Sequence, residues 1–454
     1  MYPTSRIILV SFVVGLSGCL FDTSDSEYGE VPRAGGDLTL FQGTSNSFST
    51  PAPGLSEENL ELHLDGDAGF EAKFVTGGQV NPGLGPLFNN ISCVACHKKD
   101  GRGRPPESGE ILSTMLFRIS VPGIDEHGGP KAMPGYGGQI QPRAIAGEVP
   151  EVNIKFSYRD SSVSLANKES IPLRVPTYTL ENPWFPFSQT PLISPRVTPT
   201  IIGLGLLEAV DEATILDQAD PYDQNHDGIS GKPNYVYQVR TNSMVLGRFG
   251  LKANNPNLEQ QSAGAYNQDM GITNVVFRDE NCAGDRPSCV SVKPDVDSAT
   301  LAAVVFYVRS LAVPGRRNWQ SAEVHRGEKL FTSIGCATCH LPELKTGLVP
   351  ERPFLSNQTI HPYTDLLVHD MGPGLADNRP DFDANGQEWR TTPLWGLGLT
   401  KVVNGHTLLL HDGRARNMME AILWHGGEGE RSKNAVRNLP KSDQQALLTF
   451  LESL

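Results

Sequence analysis

Two copies of one short motif constrain this chain more than any other feature: Cys93-Val-Ala-Cys-His97 and Cys336-Ala-Thr-Cys-His340. Cys-x-x-Cys alone fits a redox dithiol, half a zinc site or a haem anchor. The following histidine decides for haem, because each thiol can add to a vinyl group while the adjacent imidazole reaches the iron. With 11 His among 454 residues, the chance of an accidental His after both pairs is under about one in a thousand. A structural zinc site needs further Cys/His pairs at ligand spacing, and the sequence offers none. A thiol oxidoreductase would need free sulfurs, which thioether bonds consume. The motifs therefore read as two covalent haem c groups, with His97 and His340 as iron ligands.

Haem attachment of this kind happens outside the cytoplasm, and the start of the chain agrees. Arg6 precedes the apolar run 7–16 and then Leu16-Ser17-Gly18-Cys19. That is an export signal with a bacterial lipobox, which makes 1–19 a lipoprotein signal peptide and Cys19 the lipidated residue. Leu20 rather than Asp after the cysteine points to the outer membrane, facing the periplasm of a Gram-negative bacterium. Residues 20–55 are rich in Ser, Thr, Gly, Asp and Pro and read as a flexible tether. Of seven cysteines, Cys282 and Cys289 remain. Their spacing suits a small disulfide loop in an oxidising compartment, the rival being two unbridged thiols. The net charge of −13 argues against a nucleic-acid partner.

The length suggests two or three domains. Residues 321–331, before the second motif, and 442–454, at the chain end, have the apolar spacing of amphipathic helices, with Ser442 as an N-cap. A helix, the haem motif and a closing helix make up a cytochrome c core. Residues 297–311 resemble the C-terminal helix, and Val313-Pro314-Gly315 then breaks the chain. The expected fold is mainly α, with two cytochrome c-like haem domains, 56–314 and 315–454. The first is enlarged by loops and minor β insertions, with short strands at 151–158 and 235–240. Within the insertion, Asp223, Asn225 and Asp227 followed by Gly228 match the first half of an EF-type calcium loop. The closing Glu is missing, since the twelfth position is Asn234, so a plain Asx turn is the alternative.

From about residue 69 to 454 the chain resembles the di-haem oxidoreductase family, relatives of bacterial di-haem cytochrome c peroxidases and MauG-type enzymes. The resemblance is carried by Gly203-Leu-Gly-Leu-Leu-Glu-Ala209, Gly247-Arg-Phe-Gly-Leu-Lys-Ala253, Asp269-Met-Gly-Ile-Thr273, the stretch from Pro362 to Gly372, Glu388-Trp-Arg-Thr-Thr-Pro-Leu-Trp-Gly396 and Leu410-His-Asp-Gly-Arg-Ala-Arg416. It implies an electron-transfer haem at the C-terminal motif feeding a reactive haem at the N-terminal one. In the relatives a distal iron ligand, usually Met, stands fourteen residues after the His of the His-Asp-Gly motif. Here that place is His425, with His369 and Met371 as rivals and His411 as a residue behind the ligands. The resemblance assigns Asp269 to peroxide acid–base chemistry and Gln261, or Gln260, to orienting the peroxide. The other reading of Asp269 is a helix cap or a bond to Arg248. Relatives place a Trp between the haems. Position 251 is Leu here, leaving Trp319, Trp395 or Trp424. No residue stands out as a sixth ligand opposite His97. The implied partners are a periplasmic electron donor, such as a small cytochrome or copper protein, and a peroxide or an oxidisable protein. The alternative is a non-enzymatic electron carrier with two six-coordinate haems. The remaining histidines (63, 127, 226, 325, 361 and 406) match no motif and read as surface or structural.

Overall fold

The computed structural model describes residues 32–77, 79–107, 110, 112, 114–281 and 294–454. The leader with Cys19, the start of the tether, and Cys282 and Cys289 lie outside them. Six helices position the site: α1 (Glu57–Glu71), α2 (Leu258–Met270), α3 (Ser298–Arg309), α4 (Ala322–Ser333), α5 (Met418–Trp424) and α6 (Lys441–Ser453). Ser56, Asn257, Asp297, Ser321 and Asn417 cap the first five through side-chain oxygens that accept a first-turn N–H. The last helix starts at Lys441 after Pro440, one residue before Ser442, and has no side-chain cap.

The two halves share one plan. α1 crosses α3, and α4 crosses α6, each time at a glycine. A Cβ on Gly66 would lie 2.1 Å from the Ala303 carbonyl oxygen, and one on Gly327 would lie 2.0 Å from that of Ala446. Backbones this close admit no side chain. Gly327→Ala is expected to destabilise the protein by about 1–3 kcal/mol, read as a lowered denaturant midpoint. The plan continues with two Gly-Leu-Gly-Leu turns, Gly203 and Gly396 entering at φ of 66° and 74°. In each turn the next glycine abuts a closing-helix carbonyl, Gly205 against Arg309 and Gly398 against Glu452. Two bridged loops follow, Phe249 to Asn255 and Leu409 to Ala415, each leading into an Asn-capped helix, α2 or α5.

The expectation of a mainly α chain of cytochrome c-like domains is corrected: 29% is helical and 20% strand. The strands lie mostly between the first motif and α2: β1 (Met115–Ser120), β2 (Asn153–Ser164), β3 (Ser170–Glu181), β4 (Leu192–Val197), β5 (Tyr235–Gln238) and β6 (Ser243–Leu246). They form two-stranded antiparallel sheets, β1 with β4, β2 with β3 and β5 with β6. The expected strands at 151–158 and 235–240 exist, but the first runs on to Ser164. Its partner β3 was hidden by Pro172 and Pro176. A two-stranded ribbon has two outer edges, and proline is tolerated there because no sheet N–H is needed.

A second correction concerns residues 34–52, inside the expected tether. Leu38 is 1% exposed and Phe48 fully buried, and Thr39–Leu40 pairs in parallel with Val313–Pro314. The Ser/Thr-rich composition reflects local bonding rather than solvation: Ser47 Oγ donates to the carbonyls of Gln42 and Thr44. The largest apolar cluster takes Leu311 and Val313 from one side of the expected boundary and Trp395, Leu399 and Val403 from the other.

Candidate functional site

The Cys93–Cys96 turn is capped by Ser92, whose Oγ accepts from Ala95 N–H. Its sulfurs and His97 line a cavity of about 220 Å³. The His97 Nδ1–H donates to the Pro199 carbonyl at 3.0 Å, which leaves the Nε2 lone pair for a metal. Burial pulls its pKa down to about 4, so the ring is neutral. The second motif repeats this. Gly335 at φ 89° opens the Cys336–Thr338 turn, and the His340 Nδ1–H donates to the Tyr363 carbonyl at 3.0 Å. Burial again lowers the pKa to about 4. Its cavity measures about 260 Å³. An aromatic ring backs each histidine, Phe70 at 6.0 Å from His97 and Phe331 at 6.2 Å from His340, both tilted by 53°.

As free thiols, these cysteines would be poor nucleophiles. Burial pushes Cys93, Cys96 and Cys336 up to about 12, whereas a redox dithiol needs a lowered pKa.

His425, just past α5, lines the second cavity together with His340. Its Nδ1–H donates to the Ala421 carbonyl at 2.8 Å, and burial lowers its pKa, again leaving a neutral ring with Nε2 available. Met418, Ala421 and Ile422 line the same cavity, as the helical spacing predicts. His369 has both ring nitrogens engaged by carboxylates. Its Nε2 lies 2.8 Å from Asp365 and its Nδ1 2.6 Å from Glu428. Burial opposes charging, but hydrogen bonds to Asp365, Cys339 and Glu428 raise its pKa well above normal. Both ring nitrogens are therefore protonated and occupied. Met371 and His411 also line the cavity. The His411 ring stacks on Trp389, centroids 3.9 Å apart, a partner that sequence reasoning missed.

The first cavity has a different distal face. Gln261, Ala265 and Asp269 come from successive turns of α2 and line it. The two bridged loops and capping asparagines match position for position: Ala265 follows Asn257 by the same eight residues that separate His425 from Asn417. Where the second cavity has an imidazole, the first has a methyl group. Burial raises the Asp269 pKa, against the pull of Arg118 and of Gln139, whose Nε2 donates to Asp269 Oδ1 at 2.7 Å. Asp269 neither caps a helix nor meets Arg248, which donates to the carbonyls of Leu207, Glu208 and Val210. Gln261 Oε1 accepts from Asn255 at 2.9 Å. Gln260 is occupied elsewhere, bonding the Val239 N–H and the Tyr237 carbonyl.

Arg102, Leu251, Arg390 and Trp395 line both cavities. Trp319 and Trp424 line neither. Arg102 donates to the Leu408 and Leu410 carbonyls, and Arg390 to those of Gly250 and Thr391. Burial lowers both guanidinium pKa values to about 10, and neither has an ion pair among the described residues. Cavity-lining cations of this kind call for an anion, which the carboxylates of a haem would supply. Sequence patterns gave no signal for this pair, because burial is set by residues distant in the chain.

In the calcium candidate loop, the carboxylate of Asp223 accepts from Gly228 N–H, Asn225 Oδ1 from Asp227 N–H and Asp227 Oδ1 from Ile229 N–H. The last two are Asx turns, and all three oxygens are bonded to the loop's own backbone.

The family described as "Di-haem oxidoreductase, putative peroxidase" matches residues 28–115 and 126–454. The chain belongs to this di-haem oxidoreductase family. No curated protein matches it. Among solved structures it is similar to Kuenenia stuttgartiensis hydrazine synthase under xenon pressure, with a TM-score of 0.35, 14% identity and 100% of each chain covered. Family membership makes haem the cofactor of this di-haem oxidoreductase. Two cavities, each lined by Cys-x-x-Cys-His with a neutral, oriented imidazole, fit two such groups.

Proposed function

We propose that the chain is a covalent di-haem c-type oxidoreductase with peroxidase-like activity, in which the two haems do different work. Haem 1 would be held by Cys93, Cys96 and His97, and haem 2 by Cys336, Cys339 and His340. One observation carries the reading: the position that presents His425 to the second cavity presents Ala265 to the first. Bound haem supplies one-electron chemistry and, where its sixth position is open, a place for peroxide. His425 would hold the second haem together with His340, and that haem would then serve for electron entry. On the open side of the first, Asp269 holds or moves a proton between the peroxide oxygens, and the free amide end of Gln261 orients them. A carboxyl whose pKa is raised by burial suits this task, because it holds its proton more tightly than an exposed one. Trp395 lies between the two cavities, where it takes the bridging place that Leu251 leaves open.

The leader 1–19 would deliver the protein as an outer-membrane lipoprotein facing the periplasm. There a small cytochrome or copper protein supplies electrons, and a peroxide or an oxidisable protein is the substrate. Calcium at Asp223, Asn225 and Asp227 would brace the loop beside haem 2, since Ser230 bonds Glu428 at 2.8 Å. Mixing half-reduced holoprotein with hydrogen peroxide tests the reading. The absorption of one haem changes and peroxide is consumed. If both haems ignore peroxide, the protein is an electron carrier and the enzyme reading fails.

A further inference from the structure

The crossing of α1 and α3 buries a cluster behind the first motif. Phe70 lies between His97 and Tyr307, its ring 6.0 Å from the first and 5.3 Å from the second. Tyr307 is 2% exposed, and two carboxylates, Asp100 and Asp67, act on its hydroxyl. Asp100 is buried, with an Oδ1 that has no hydrogen-bond partner among the described residues, while Asp67 reaches the half-buried rim of α1. No cation pairs with either carboxylate among the described residues. In the second crossing the equivalent residue is Phe450, whose ring is 5.2 Å from Phe331. A position that served packing alone would take phenylalanine there, as the second half does. The tyrosine nearest the second motif, Tyr363, bonds Glu328, but that carboxylate is held by Arg316 at 2.9 Å. An arginine-paired carboxylate is a weak proton acceptor, and an unpaired one among other acids is a better one.

We propose that Tyr307 is a redox-active tyrosine that gives haem 1 a one-electron outlet to the α1 surface. The inference rests on the peroxidase-like reading of haem 1. The peroxide-oxidised haem 1 centre takes one electron from Tyr307 and is reduced by one. The phenol proton passes to the neighbouring Asp67 carboxylate, leaving a neutral phenoxyl radical and a carboxylic acid. A one-electron reductant at the surface refills the radical, and the proton returns. Phe70 lies between the two rings, and the route leads away from haem 2, so oxidising power can reach a partner that never enters the first cavity.

The test is electron paramagnetic resonance of holoprotein freeze-quenched with hydrogen peroxide in the absence of donor. In parallel, the same protein is oxidised by a photogenerated ruthenium(III) complex, which needs no peroxide chemistry. Wild-type protein is expected to show a tyrosyl radical that narrows when tyrosine is ring-deuterated. Tyr307→Phe keeps the ring packing and the haem spectra but loses at least nine-tenths of the signal. Tyr363→Phe keeps it, and Asp67→Asn shortens its lifetime. Failure of peroxide to react with haem 1 would sink the peroxidase-like reading. A Tyr307-dependent radical in the ruthenium arm would still support the outlet. A radical unchanged by Tyr307→Phe in both arms, or no radical in either, overturns it.

Discussion

His425→Ala is expected to convert haem 2 from a low-spin to a high-spin centre, visible as a shifted Soret band and a new high-spin ferric signal. The present geometry supplies Nε2 of His425 as a strong donor, because its Nδ1–H is committed to the Ala421 carbonyl. Alanine supplies none, and the other candidates cannot replace it well. His369 is locked between Asp365 and Glu428 as an imidazolium. His411 is stacked on Trp389. Met371 lines the cavity, so it is the one side chain that could move in. His425→Met is therefore the informative second variant. It should remain low-spin and raise the reduction potential, since a thioether donates less to ferric iron than an imidazole. Electron uptake from a donor should fall steeply in the alanine variant and persist in the methionine one. If His425→Ala keeps an unaltered low-spin spectrum, His425 is a core histidine.

Asp269→Asn should lower peroxide turnover by about 10²–10⁴-fold, the usual contribution of a positioned acid–base group, with both haem spectra unchanged. Stability separates this from misfolding. Burial raises the Asp269 pKa, with Arg118 and Gln139 opposing. A carboxyl whose folded pKa exceeds its unfolded value binds its proton more tightly when folded. It therefore costs stability as pH rises through the unfolded value of about 3.9. The asparagine variant should match or exceed the wild type in stability at neutral pH, and the difference should shrink as pH falls toward that value and be gone below it. A variant that loses activity but not stability places Asp269 in the chemistry. Full activity in the variant would remove it.

These two residues show what a sequence can and cannot disclose. His425 was readable because its helix has a recognisable cap, Asn417, and a periodic face, so an inward imidazole followed from spacing alone. The same logic found α3, α4 and α6 to within a few residues, whereas Asp269 was named through the family resemblance alone. What stayed hidden depends on partners far along the chain. β3 carries prolines that argue against a strand until its pairing with β2 is known. Phe48 and Leu38 sit in a Ser/Thr-rich stretch that reads as solvated until Val313 is found beside it. Arg102 and Arg390 look like ordinary surface cations until both prove to line two cavities. The equivalence of Ala265 and His425 required both bridged loops, Phe249 to Asn255 and Leu409 to Ala415, to be seen as one element used twice.

That equivalence is the centre of the account, and the spin states of the two irons test it most directly. Quantitative electron paramagnetic resonance of the fully oxidised and half-reduced holoprotein, at two haems per chain, should give one low-spin haem with two histidine ligands and one high-spin haem. The high-spin signal should belong to the motif at Cys93–Cys96 and survive His425→Ala. Two low-spin haems in both redox states would contradict the division of labour between the cavities.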